Sequence, residues 1–358
     1  MPENPGLPAN FVEFMVKKAG IALLVVLVVV GIWQWRWVSY GWMQAGGQLR
    51  ILWNARPVSE VLADPAVADS LKIRLRLVQE IRRFAIDSLG LNDTESYQTF
   101  YDQRGKPILW VLTAAEPYKI KAVDWHFPLI GSFTYIGYFD HRRALREEGE
   151  MRQKGYDTDL GEVAAWSTLG YFRDPILSGM LSRQVGRLAN LIIHEMTHST
   201  LFVKDSHEFN ENLANFVGDY GAVQFLAQKY GANSVHAREY AEGKVFSERY
   251  IQHINRGTRQ LDSLYVGFRP QTPTMLKDSL KIGLIRRIVR STDTLYRGLK
   301  TPRRGRRWRD GVLPNNAYFV GFATYNAQRN QFEDAFRNQF GSDFRKYLTY
   351  LKTKYPSL

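Results

Sequence analysis

A chain of 358 residues, 45% hydrophobic and 13% aromatic, can bury at least one substantial core, which excludes a largely disordered polypeptide. Cysteine is absent, so disulfides and thiolate metal sites are excluded, and histidine and carboxylate remain as the usual zinc ligands. The net charge of +13 suits an anionic partner, either lipid headgroups or nucleic acid.

In chain order, the apolar run Ala19–Trp33 comes first. As a helix its fifteen residues reach about 22 Å, short of a hydrocarbon core of ~30 Å, and extension to Val38 brings in Gln34 and Arg36. Trp33, Trp35, Trp37, Tyr40 and Trp42 follow as an interfacial aromatic belt. No small-x-small cleavage site follows closely, so an uncleaved anchor is preferred to a signal peptide. Lys17 and Lys18 favour a cytoplasmic N-terminus, while Arg36 and Arg50 weaken that bias.

Helical periodicity then runs from about Ala66 to Leu89 and stops at Gly90. Pro107–Ala115, His126–Asp140 and Gly161–Phe172 read as strands, with a charged surface helix beginning at His141. A helix is expected over Ser182–Phe202, with Val185, Leu188, Ile192 and Met196 as its core stripe, and a second from Glu208 to Tyr230. Further helical stretches and loops fill the remainder. The arginine-rich run Ile285–Gly311 reads first as a solvated basic segment and second as an anionic-lipid contact. No reader motif accompanies it, so nucleic acid is not expected as a partner.

The first helix of the pair carries His194-Glu195-Met196-Thr197-His198. Histidines four apart share a helix face and can aim both imidazoles at one zinc ion, while Glu195 sits beside it as general base. A catalytic zinc needs a third protein ligand, and His207, Glu208 and Glu211 follow within fifteen residues. The spacing Asp205 to Glu208 suits a capping box, which gives Glu208 a structural task. Glu211 lies one turn into the second helix and is the preferred ligand, with His207 as the alternative. Asn215 or Asp219 could orient a histidine from behind.

The stretch Asn210–Ala214, "NENLA", resembles the second motif of gluzincin metallopeptidases. More closely, the chain is similar to a bacterial family of predicted aminopeptidases with a membrane-linked N-terminus. The matching pieces are "MQAGGQLRILWNARPVSEVLADP", "WHFPLIGSFTYIGYFD", "AAWSTLGYFRDPILSGM", "LIIHEMTHSTLFVKDSHEFNENLANFV" and "NNAYFVGFATY". The resemblance implies one Zn2+ held by His194, His198 and Glu211, Glu195 as base, and an extracytoplasmic catalytic domain. Two departures stand out. The chain lacks the lipid-bearing cysteine with which many members begin, and it lacks the G-x-M-E-N segment of gluzincin aminopeptidases. Val163–Thr168 is the expected substrate-binding strand, through Val163 and Ala165, with Tyr325 as oxyanion donor and Asn316 beside the substrate.

The expected fold is α+β, mainly α, with a zincin-like core of active-site helix plus small antiparallel sheet, extra helices and an N-terminal membrane helix. Residues 1–18 form a cytoplasmic tail, 19–38 the anchor and 39–358 the zinc peptidase domain. The function expected is a membrane-anchored, single-pass zinc metallopeptidase on the periplasmic side of the inner membrane, acting on peptide or protein as an aminopeptidase. The alternatives are a zinc endopeptidase and a tethered binding module with a structural zinc site.

Overall fold

The computed structural model describes residues 17–18, 21, 32–127, 131–162, 173–204, 206–296, 313–324 and 329–355. The chain forms two compact units, Met1–Leu49 and Arg50–Leu358. Most of the expected anchor lies outside the described residues. Among those described, no helix is long and apolar enough to cross a membrane. Trp33, Trp35 and Trp42 are exposed, and Trp37 meets Tyr40 edge-on.

Helix α1 spans Trp35–Asn54, followed by strand β1 (Arg56–Pro57), α2 (Val58–Ala63) and α3 (Asp69–Asp87). In α3, Leu75, Val78, Ile81, Phe84 and Ala85 recur at helical spacing and are buried, as the periodicity predicts. Gly90 closes it with φ of +77°, which lets the Leu91 amide donate back to the Ala85 carbonyl.

The strands are β2 (Thr99–Tyr101), β3 (Trp110–Ala115), β4 (Trp125–Phe127), β5 (Gly131–Phe133), β6 (Ile136–Tyr138), β7 (Asp157–Glu162) and β8 (Ile176–Leu177). They form three small sheets instead of one: β1-β2-β8, an antiparallel β6-β3-β7, and the β4-β5 hairpin. The β2–β8 pair is parallel, which departs from a purely antiparallel expectation. The expected strand His126–Asp140 is divided among β4, β5 and β6, whose two halves join different sheets. Of the strand expected at Gly161–Phe172, Gly161 and Glu162 lie in β7, and residues 163–172 lie outside the described set.

Helix α4 (His141–Gln153) is the charged surface helix, capped by the Asp140 carboxylate on the Arg143 amide. A 3₁₀ turn, Ser178–Ser182, precedes α5 (Val185–His198), so the active helix is shorter at both ends than its apolar pattern predicts. Its C-terminal end is set by the Thr200 and Leu201 amides, which both turn back onto the Thr197 carbonyl. Leu188, Ile192 and Met196 are buried as expected, and half-buried Val185 packs against the same core. Then come α6 (His207–Tyr230), α7 (Val235–Val266), α8 (Thr274–Ser291), α9 (Asp293–Tyr296), α10 (Asn316–Thr324), α11 (Arg329–Phe340) and α12 (Phe344–Lys354). The start of the basic run lies on α8, where Ile285 and Ile288 face the core while Arg286, Arg287 and Arg290 are exposed. Residues 297–312, with the rest of that run, lie outside the described set.

A second core joins α7, α8 and α10 through Ile254, Leu261, Tyr265, Ile285, Ile288 and Phe319. A polar clasp closes it onto β7. Lys281 Nζ donates to Asp157 Oδ2 at 2.5 Å, and the same oxygen accepts the Asn316 amide at 2.9 Å. Asn316 Nδ2 donates to the carbonyls of Glu116 and Pro117 at 2.9 and 3.0 Å, and its Oδ1 accepts from Tyr265 Oη at 2.7 Å. Asn316 is 0% exposed, so the expectation that it faces substrate is corrected: both ends of its amide are consumed in holding the turn after β3. Asn316→Ala should cost about 2–4 kcal/mol, because it leaves buried carbonyls and a phenol without partners. Urea denaturation checks this; an unchanged midpoint would rule the clasp out as a stabilising element.

Candidate metal centre

The site rests on how closely α5 and α6 approach. Asn210, 1% exposed, accepts the Val203 amide at 2.8 Å and donates to the Val203 carbonyl at 2.7 Å, pinning the inter-helix turn to the first turn of α6. One residue later comes Glu211. Further along α6, a methyl group at Gly218 would lie 2.9 Å from the Asn190 carbonyl oxygen and 3.2 Å from His194 Cβ. Only glycine lets the two backbones come this near without a shift. Asn190, one turn before His194, donates to Asp219 Oδ1 at 3.0 Å, and Tyr240 Oη donates to the same oxygen at 2.8 Å. Lys244 pairs with Asp219 at 3.7 Å. This network braces α5 against α6 and α7.

In front of it, His194 and His198 stand on one face of α5 with their rings at 86°. Their Nε2 atoms are 3.3 Å apart. His194 Nε2 lies 3.6 Å from Glu211 Oε2, and His198 Nε2 lies 3.4 Å from Glu211 Oε1. A tetrahedral ion with imidazole nitrogens at ~2.0–2.1 Å requires ligand atoms about 3.3–3.4 Å apart. The observed separations, 3.3, 3.4 and 3.6 Å with each histidine facing a different oxygen of Glu211, lie near that spacing, so these three residues could hold one divalent cation. Two imidazole nitrogens facing each other at this separation otherwise require a proton between them. Among the described residues, this is the group of histidine and acidic side chains close enough together for the purpose.

Burial opposes charge on His194, but hydrogen bonding to Glu211, the charges of Glu195 and Glu211, and a hydrogen bond with Asn215 raise its pKa overall. Burial likewise pushes the Glu211 carboxyl up, yet the hydrogen bonds and charges of both histidines hold it far below the usual carboxylate range. His198 Nδ1 is buried without a hydrogen-bond partner among the described residues.

The residues expected at the site fall into three groups. His194, His198 and Glu211 converge, Glu195 is half-buried next to them on α5, and Asn215 reaches His194. Glu208 lies in the first turn of α6 and outside the cluster, and the backbone of His207 opens that helix. Asp205, Val163, Ala165 and Tyr325 lie outside the described residues.

The family described as "Putative aminopeptidase" matches residues 39–354, a span that contains the whole cluster. The chain belongs to this family. No curated protein and no solved structure gives a significant match.

Around the cluster of this aminopeptidase-family chain lie groups that sequence reasoning missed. The phenol of half-buried Tyr135, in the turn between β5 and β6, is pushed up by burial and by the charge of Glu211. Tyr97 is 1% exposed and adopts φ of +63°, a conformation that costs a bulky residue about 1–3 kcal/mol. Neither tyrosine belongs to a periodic pattern that would single it out. Gly218, three residues after Asn215, could have been read as a close helix contact.

Two outcomes follow. Gly218→Ala should destabilise by ~1–3 kcal/mol and weaken divalent-cation binding. Gly149→Ala, on α4 with nothing within 4 Å of the new methyl, should stabilise by ~0.5–1 kcal/mol. Thermal melts and cation titrations of both variants separate them. The second outcome concerns pH in the presence of a chelator. Glu211, lowered on folding, contributes stability fully present above 4.5 and lost as pH falls through its folded value. His194, raised on folding, contributes stability fully present below 6.5 and lost as pH rises through its folded value. Urea midpoints should therefore peak between pH 4.5 and 6.5, and Glu211→Gln should flatten both flanks.

Proposed function

We propose that this aminopeptidase-family chain is a zinc metallopeptidase of the HExxH gluzincin kind, acting on peptide bonds. The observation that carries the proposal is the convergence of the His194, His198 and Glu211 side chains, with both imidazole Nε2 atoms 3.3 Å apart and each within 3.4–3.6 Å of one Glu211 oxygen, near the spacing that one tetrahedral zinc ion asks for. Nitrogen and carboxylate donors without sulfur are the set used by catalytic zinc with three protein ligands. Bound there, zinc would polarise a scissile carbonyl and bring the pKa of a coordinated water to about 7.

The chain's own residues supply the rest. Glu195 precedes Met196 on the helix, where its carboxylate is half-buried beside the histidines. It accepts the proton of the attacking water and delivers it to the departing amine nitrogen. Glu211, held ionised by its two imidazole neighbours, keeps both histidines aimed inward. Asn215, four residues further along α6, sets the His194 ring from the side.

Aminopeptidase action fits the family description, while the absence of a G-x-M-E-N segment leaves the group that would hold a substrate's free amine unassigned. The apolar run 19–38 supports attachment to a membrane as a single pass. The catalytic unit would then lie on the periplasmic side of the inner membrane. Exposed Arg286, Arg287 and Arg290 offer anionic headgroups a contact.

The test is metal analysis of the detergent-purified chain together with peptide hydrolysis. About one zinc per chain is expected, removed by chelation along with activity and restored by zinc alone. Glu195→Gln should keep the zinc and lose about 10²–10⁴-fold in kcat. Glu211→Gln should lose zinc affinity instead. Full hydrolysis by Glu195→Gln would refute the mechanism.

A further inference from the structure

Helix α8 is tied to the fold along one side. Lys281 is buried at the Asp157 carboxylate, Ile285 and Ile288 enter the second core, and His253 Nε2 of α7 meets the Ile288 carbonyl at 3.0 Å. A methyl group at Gly257 of α7 would lie 2.7 Å from Ile288 Cγ2, so the two helices pack closely there. Near the start of α8, Lys277 Nζ lies over the rings of Tyr118 and Phe268, and Asp278 accepts from Tyr118 Oη at 2.6 Å. These contacts fix the rotation of the helix and therefore the face it turns to solvent.

The first two turns of that face carry Met275, Leu276, Leu280 and Ile282, which are 86, 49, 42 and 44% exposed. A Cβ added at Gly283, next along, would meet nothing within 4 Å. The last turns carry exposed Arg286, Arg287 and Arg290. Asp278, already engaged with Tyr118, is the only acidic residue on the helix. Single exposed apolar residues are ordinary, but four on one helical face form a patch. Here the patch runs directly into uncompensated positive charge.

We propose that the outward face of α8 is a docking surface for an anionic lipid bilayer, on which the helix lies in the plane of the interface. Its apolar side chains enter the boundary between headgroups and acyl chains, and its arginines grip lipid phosphates. The proposal extends the headgroup contact suggested above and rests on the membrane reading only for the presence of a bilayer. A bilayer offers apolar and anionic groups side by side, which is the complement of this face. The net charge of +13 draws the chain toward such a surface. A second copy of the chain suits it less well. Two such faces paired antiparallel would set arginines against apolar side chains, and paired in parallel would set arginines against one another, with no acid to neutralise them in either case.

The chain has no cysteine, so one introduced thiol carries a single label. The full chain is exchanged from detergent into vesicles of phosphatidylcholine alone or mixed with phosphatidylglycerol, bearing an environment-sensitive fluorophore at Met275→Cys or Ile282→Cys. Leu145→Cys on α4, 48% exposed, is the control. Both α8 probes should shift to the blue, and be quenched by nitroxide-bearing lipid, in the anionic vesicles only, while the control stays in water. High salt should weaken the signal. In the triple variant Arg286→Gln, Arg287→Gln and Arg290→Gln, with unchanged Tm, the ratio of docked to undocked helix should fall about 100-fold. No shift, an equal shift in both lipids, or a full shift in the triple variant overturns the proposal. A shift that grows with protein concentration and ignores lipid shows a second copy on the face and overturns it too. Flotation with phosphatidylcholine vesicles reports attachment through residues 19–38 separately: its absence refutes that attachment, while the α8 probes still decide the docking.

Discussion

Everything at the centre depends on two helices lying closer together than side chains ordinarily allow. Gly218 gives α5 and α6 room to touch at the level of Asn190 and His194. Asn210 fixes the turn that brings α6 back. Together they set the separation at which a carboxylate from one helix meets two imidazoles from the other. A bulkier residue at position 218 would move Glu211 by a few tenths of an ångström, and metal–ligand distances tolerate little more than that.

The burial pattern shows how the arrangement is sustained. The apolar side of α5, with Leu188, Ile192, Ile193 and Met196, lies in the main core, so the helix cannot rotate to relieve crowding on its polar side. Crowding is thereby converted into electrostatics. Glu211 must stay ionised between histidines, and His194 holds a proton more tightly than burial alone would permit. The polar bracing behind the site, Asp219 with Asn190 and Tyr240, keeps buried hydrogen-bonding capacity satisfied while the front is left to the ligand atoms.

Much of this was legible in the sequence, unevenly. That the two histidines share a face, and that a second helix follows, can be read from helical spacing, because i and i+4 positions share a face whatever the tertiary context; of the acidic candidates, Glu211 is the one that lies with the histidines. Helix α3 was readable for the same reason, with Gly90 as its stop. Strands fared worse. The aromatic-rich stretch after His126 reads as one strand, yet its pieces pair with different partners, and pairing is a long-range property that local alternation does not encode. Asn316 was misread because a buried amide that saturates a turn and an amide that waits for a ligand look identical in one dimension. Tyr97, buried on a left-handed backbone, left no local signal, since the groups that hold it lie distant in sequence.

The spacing of contacts along the chain also bears on the order of assembly. His194 and Glu211 are neighbours in sequence, bridged by one short turn that Asn210 ties off. The amide of Asn316, by contrast, meets carbonyls about 200 positions away. Closing a short loop costs less entropy than closing a long one, and local contacts form first. The helical hairpin can therefore gather its three polar groups while the C-terminal third is still unfolded, and a cation bound there would act as an early staple around which the later, more remote clasp is laid down.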